Sequence, residues 1–466
     1  MTGEDLVAEF VVGATWESLP EAVRRQARLC LLDGLGVTLA GTLTRVGKIT
    51  AAYAAETWPG DESTILLQGR RASPVGAAFA NAWAANAVDS DDIVRYAGHA
   101  GGQVLPAALA LAEARSLSGA QMLSAVVVGY EVAHRVGRCW HDHHAVYQSE
   151  GSWGSVACAA TAANLMRLPP EQTKHALGIA EYHAPNAPMM VDIDDPAMVK
   201  HAMGWGAMNG IISAELASRG FTGTPSILGH EEYSDWVHDI GQAYTMVDGL
   251  VRKRRGYACC AWTHGAAEGA RRLVEEHQVD LADVAKVRVS TFHEAFRLGT
   301  KLPDSTEEAQ FNMAWPVAAM MVDGEVGPAQ TLEHRLTDPE IRSLAEKVEV
   351  VESDEMNRLS DLFEKGDPRG HWASKVTLFL NDGRELKTGL EDGGFRFPAP
   401  VWDESRMEDK FCWLVREVLS DAATGRLVDM TWHFEAVPDV REFAGMLAQE
   451  GARRAVGVDW PVRSGE

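Results

Sequence analysis

Between residue 20 and about residue 280, apolar side chains recur at every third and fourth position, as in VLPAALALAEARSL, QMLSAVVVGYEVAHRVG and GSVACAATAANLM. That spacing lines them along one side of a helix. Their richness in Ala lets helix axes approach closely. The breaks are well marked. Leu19-Pro20-Glu21 opens one helix, Ser118-Gly119 separates two, and Leu168-Pro169-Pro170-Glu171 opens another. Near Val284 the period shortens to two, in AKVRVSTF, and does so again in EKVEVVES and SKVTLFLNDGRELKTGL. Within the last, Asn381-Asp382-Gly383 is a strong hairpin signal. Helix returns with EDKFCWLVREVLSD from Glu408 and closes with PDVREFAGMLAQEGARR. The pattern predicts a mainly α fold in which an all-helical domain is discontinuous in sequence and an α/β segment is inserted into it. We place the helical parts at 1–270 and 401–466 and the α/β part at 271–400. No fixed-period repeat is present, which argues against a solenoid.

A chain of 466 residues is longer than one hydrophobic core usually supports, in keeping with two domains. Its 43 basic against 66 acidic residues give a formal charge of -23, which opposes nucleic acid or an anionic membrane as partner. A local basic pocket for a small anion is compatible with that balance. The six cysteines are sparse, and the only close pair, Cys259-Cys260, is adjacent and poorly placed for a disulfide, so a reducing compartment is expected. The N-terminus MTGEDLVAEFVV carries acids where a signal peptide needs bases, and no uncharged apolar run approaches the roughly 20 residues that span a bilayer. We therefore expect a cytoplasmic protein.

The segment NAVDSDDIVRYAGHAGGQVLPAALALAE is the richest in chemistry. An Ala-rich helix is expected to end at Asp89, a polar loop carries Asp91, Asp92 and His99, and a Gly pair leads into the next helix. A histidine just before a helix N-terminus sits where an anion is favoured. The three aspartates read equally as a metal site or as helix caps. Neither G-x-x-x-x-G-K-[ST] nor a strand-linked G-x-G-x-x-G occurs, so no phosphate cofactor is implied.

The run from Asn81 to Glu113 resembles the signature of the MmgE/PrpD family. Further matches follow in the family's order: LDGLGVTLAG from Leu32, VVGYEVAHRVG from Val127, GSWGSVACAATAANLM from Gly151, YACCAWTHGAAEGA from Tyr257 and FNMAWPVAAMMVDG from Phe311. Each is weak alone; six in register are specific. The resemblance implies a large all-helical domain, an α/β lid domain, a substrate site between them and a homodimer. It also implies a lyase, a dehydratase or decarboxylase, that acts on a small di- or tricarboxylic acid without a cofactor. The partner expected is thus a small anionic carboxylic acid.

Removing a proton beside a carboxylate, or losing carbon dioxide, builds negative charge on carbon, so such a site needs cations and a proton carrier together. By the resemblance, His99 is the general acid/base and Asp89 orients the site. Lys200, in DPAMVKHAMGWG, and Arg255, which closes the Arg252-Lys253-Arg254-Arg255 run, grip carboxylates. Asp92 and His264 are assigned to the substrate side. Family members carry a catalytic histidine about seven residues before the glycine that Gly151 matches; here the count lands beside Ala145, which leaves His144 and Tyr147 as candidates. Cys259 and Cys260 read as close-packed small residues, and no metal ligands are assigned.

The chain departs from the family pattern at Asn86, Ile93, Ala100 and Trp315, and DGGFRFPAP lacks the usual P-K-G turn. Three other readings stay open. A cofactor-independent epimerase would use two proton carriers, such as His99 and Tyr147. A metal-dependent hydrolase would use His141-Asp142. A silent helical scaffold would have kept the fold alone.

Overall fold

The computed structural model describes residues 2–94 and 98–455. The Ala-rich segments fold as helices Glu21–Gly41, Pro74–Asn86, Gly101–Ala114, Gly119–His143, Glu150–Met166 and Met203–Ser218. Their starts follow from the punctuation. Ser73 accepts from Gly76 N–H with Pro74 in the first turn, and Ser118 forms a reciprocal capping box with Gln121. Helix Pro74–Asn86 ends three residues before the expected Asp89. Asp89 instead takes a left-handed conformation at φ +47°, which aspartate tolerates better than most side chains.

The apolar faces of these helices form one core that also takes in Trp402, Phe411, Leu414, Phe434 and Phe443 from the C-terminal part. The return is fastened by charge as well as packing. On helix Glu404–Val415 the fully buried Lys410 donates to Asp33 Oδ1 at 2.6 Å and to the Ser90 carbonyl at 2.7 Å.

A second core runs from Tyr257 to Leu380 and recruits Met189 and Ile193. It lies on a four-stranded sheet in the order Val348–Glu352, Val284–Thr291, Lys375–Leu380, Glu385–Lys387. The first pair is parallel and the other two are antiparallel. The strands are those the period-two segments predict, and Gly383 at φ +87° sits in the expected hairpin turn. A third, smaller apolar cluster packs Ile93 and Val251 with Ala261, Phe363, Phe395 and Phe397. Among the described residues no single helix is long and apolar enough to cross a membrane.

Candidate active site

Four short segments converge at one end of the helical core. The Asp89–His99 loop is held by a two-residue antiparallel ribbon, in which Ile93 pairs with Val251 and Val94 with Leu250. That ribbon sets the Arg252–Arg255 run beside the loop. Helix Glu150–Met166 brings its first residue underneath, and the Lys200–Ala202 turn closes the far side.

His99 is the hub. Its Nδ1 lies 3.1 Å from Asp91 Oδ1 and its Nε2 3.7 Å from Asp89 Oδ1, and its ring stacks on His201 at 5.5 Å. Asn86 Nδ2 donates to the same Asp91 oxygen at 3.0 Å. The backbone N–H of His99 donates to Glu150 Oε1 at 3.3 Å, and His201 Nδ1 is 3.4 Å from Glu150 Oε2. Burial alone would lower the pKa of His99, but the neighbouring carboxylates, Asp91 foremost, raise it above the ordinary histidine value. His201 moves the other way, pushed down to about 3 by burial and by the charge of His99. The two stacked imidazoles are thus shifted in opposite directions, His99 upward by its carboxylate neighbours and His201 downward by burial.

Two lysines complete the cluster. Lys253, fully buried, donates to Asp89 Oδ1 and to the Asp89 carbonyl, both at 2.6 Å, and to the Cys259 carbonyl at 3.3 Å. These contacts use all three ammonium donors. Burial would raise the pKa of Asp89, yet the charges of Lys253 and Lys200 override it and hold the carboxylate well below its usual range. Lys200 donates to the Asn86 carbonyl at 2.8 Å and to Gln310 Oε1, which leaves one donor beyond these two. Burial pulls Lys200 below the ordinary lysine value.

Of the residues singled out in the sequence, the structure brings Asp89, His99 and Lys200 together. Tyr147 stands nearby in the wall of a cleft, its ring 4.9 Å from His141. The other four lie elsewhere, each for a visible reason. Arg255 is half exposed and pairs with Asp409 at 2.8 Å on the surface; within the basic run it is Lys253 that reaches the site, while Arg252 turns to Asp33. Asp92 points into the helical core and accepts from the Tyr130 hydroxyl at 2.9 Å, and burial raises it to about 6. His144 is exposed and packs on Trp140 at 4.7 Å. His264 is buried against Tyr257 with its Nε2 on the Cys259 carbonyl at 3.2 Å. Sequence reasoning missed Asp91, Glu150, His201 and Lys253 as members of the cluster. The signals available were the second acid of D-S-D-D, the acid before Gly151, the residue after Lys200, and the inward position in the basic run.

The His141-Asp142 pair does not act as a unit. His141 Nε2 is on the Gln148 carbonyl at 3.3 Å, and Asp142 accepts from Trp236 Nε1 at 3.0 Å. Burial pushes the Cys259 thiol up to about 12, which disfavours the thiolate. Donor atoms of Asp89, His99 and His201 lie within 4.8 Å of one another, as do those of His143, His230 and Glu232 on the surface. In the buried group Asp89 Oδ1 already accepts from Lys253.

Residues 5–238 match the MmgE/PrpD N-terminal domain and residues 257–434 the MmgE/PrpD C-terminal domain. The chain belongs to the MmgE/PrpD family. Within the family it is 30% identical to the cis-aconitate decarboxylase of Homo sapiens over 451 residues, which cover 92% of this chain and 91% of that protein. It is 25% identical over 474 residues to the cis-aconitate decarboxylase-like protein oryM of Aspergillus oryzae, covering 93% and 94% respectively. The Mus musculus cis-aconitate decarboxylase is 26% identical over 376 residues, 74% of each chain.

Proposed function

We propose that this MmgE/PrpD protein is a cofactor-independent lyase that removes carbon dioxide or water from a small di- or tricarboxylic acid, with His99 as the proton carrier. The observation that carries the reading is one buried cluster in which a histidine of raised pKa stands between two carboxylates and beside two ammonium groups. Family membership and the decarboxylase relatives support the same reaction class.

The chemistry follows from the geometry. Asp91 stands 3.1 Å from His99 Nδ1, which leaves Nε2 as the atom that moves the proton. In a decarboxylation the electron pair of the breaking carbon–carbon bond passes onto the substrate skeleton, where a proton from Nε2 quenches it as carbon dioxide leaves. Lys200, with a donor beyond Asn86 and Gln310, holds a substrate carboxylate and offsets the charge that develops. Lys253 keeps Asp89 ionised, and Asp91, the nearer carboxylate, favours the protonated form of His99. The five buried thiols and the single exposed one, all unbridged, suit the cytoplasm. The family resemblance implies a homodimer, with an α/β lid closing over the helical part.

The test is proton NMR in deuterated water of EDTA-treated protein with 2-methylcitrate, citrate, cis-aconitate and iminodisuccinate, beside His99→Ala. Loss of water or carbon dioxide from one compound, abolished in the variant, is the expected result. Deuterium incorporation with an unchanged skeleton would replace the lyase by an epimerase. Silence across the panel would count against both.

A further inference from the structure

A cleft of about 380 Å³ opens beside the buried cluster, and its composition does not match that of an unsubstituted polycarboxylate. The two meet at Gly98, which lines the cleft and adjoins His99. Gly98 has φ +104°, and a Cβ there would stand 2.1 Å from Glu150 Oε1, so glycine lets the backbone between cleft and cluster pack directly on that carboxylate.

Beyond that point the walls are aromatic and aliphatic: Trp262, Phe292, Phe363, Trp372 and Phe395 from the α/β part, with Ile93 from the helical part. The rings support one another. Trp372 lies 4.8 Å from Phe363 and 5.7 Å from Phe395, and its indole N–H is tied to Glu364 Oε1 at 3.0 Å. The charged groups among the described lining residues do not form an anion trap. Arg297 is held by both oxygens of Asp194, and Arg138 has Asp142 at 3.4 Å and the Trp236 ring at 4.4 Å. Glu294, Asp361 and Glu364 line the same space and repel a carboxylate. The volume falls in the range of about 300–1,000 Å³ typical of sites for drug-sized ligands, with room beyond a six-carbon acid.

We propose that this cleft seats an apolar alkyl or aryl substituent, so that the substrate is a substituted polycarboxylate whose carboxylates face Lys200 and His99 while its apolar arm lies among the rings. The inference rests on the lyase reading of the same site. Burying such an arm tightens binding through the area it removes from water, and aromatic walls add directional contacts.

Isothermal titration of the full chain with citrate and with 2-methyl-, 2-butyl- and 2-hexylcitrate tests the proposal, because it reads binding whether or not turnover occurs. Affinity is expected to rise about threefold to fourfold per methylene until the cleft is filled. Ser360→Trp and Met190→Trp, which fill the cleft without touching the cluster, are each expected to flatten that rise and to leave citrate affinity within about twofold. Equal affinity across the series, binding of citrate alone, or no binding of any member would each overturn the proposal. Turnover of the same compounds is scored separately: unsubstituted acids turned over with no gain from the arm would sink the cleft and spare the lyase, whereas tight binding of long arms with no chemistry would do the reverse.

Discussion

Lys200 and Lys253 are both buried cations near Asp89, yet their hydrogen bonds give them different tasks. Lys253 spends its donors on the protein and fixes Asp89, whereas Lys200 has one donor beyond Asn86 and Gln310. His99 depends on the same carboxylates. Asp91→Asn removes the charge that holds the imidazole proton, so the basic limb of kcat/KM against pH is expected to move down by about one unit. An unmoved limb would separate Asp91 from the chemistry. Glu150 makes the opposite kind of prediction. Burial raises it from 4.5 to about 7, so between those values the folded chain keeps a proton that the unfolded chain has lost. Stability therefore falls as pH rises through that window, and below it both states are protonated and Glu150 has no effect on the pH dependence. Glu150→Gln is expected to flatten the fall and to gain on the order of 1–3 kcal/mol at pH 8, read by urea denaturation at pH 5 and pH 8. The site was partly legible in the sequence. Asp89, His99 and Lys200 stand in matched motifs, but whether Lys253 or Arg255 points inward depends on ribbon register, which composition does not carry.

At the scale of elements, the cluster exists because a ribbon, a helix start and a strained turn meet. His201 and Ala202 are both left-handed, at φ +55°, a conformation that costs of order 1–3 kcal/mol per non-glycine residue and persists only where packing enforces it. Part of that packing comes from Gly151, where a Cβ would lie 2.2 Å from the Ala202 carbonyl oxygen. Gly151→Ala is expected to push the turn away, lowering kcat at least tenfold and stability by about 1–3 kcal/mol, as measured by turnover and urea titration. Wild-type turnover in that variant would mean that the turn does not position Lys200. Helices and strands were legible almost throughout, because periods of 3.6 and 2 report which face is buried. The end of helix Pro74–Asn86 was not, since the Ala-rich pattern runs on through Ala87 and Val88 while the backbone turns at Asp89.

Across the whole molecule, the C-terminal part of the helical core is fastened by a buried ion pair. Lys410 ties helix Glu404–Val415 to Asp33 and to the Ser90 carbonyl one residue from Asp89, so the return of the chain braces the backbone beside Asp89. Lys410→Met leaves a buried carboxylate short of its partner and is expected to cost about 3–5 kcal/mol in urea denaturation. A loss under about 1 kcal/mol would show the link to be dispensable. The discontinuous helical core was foreseeable from apolar period alone, whereas this brace was not, because a lysine on an amphipathic helix reads as solvated until its partner is seen. All these parts serve one claim, that His99 carries the proton. The most direct test is the turnover rate of His99→Ala on whichever acid of the NMR panel the parent converts, with circular dichroism to check the fold. A loss of about 10²–10⁴-fold in kcat with the fold intact is expected; a folded variant that keeps its rate within about threefold would show that another group carries the proton.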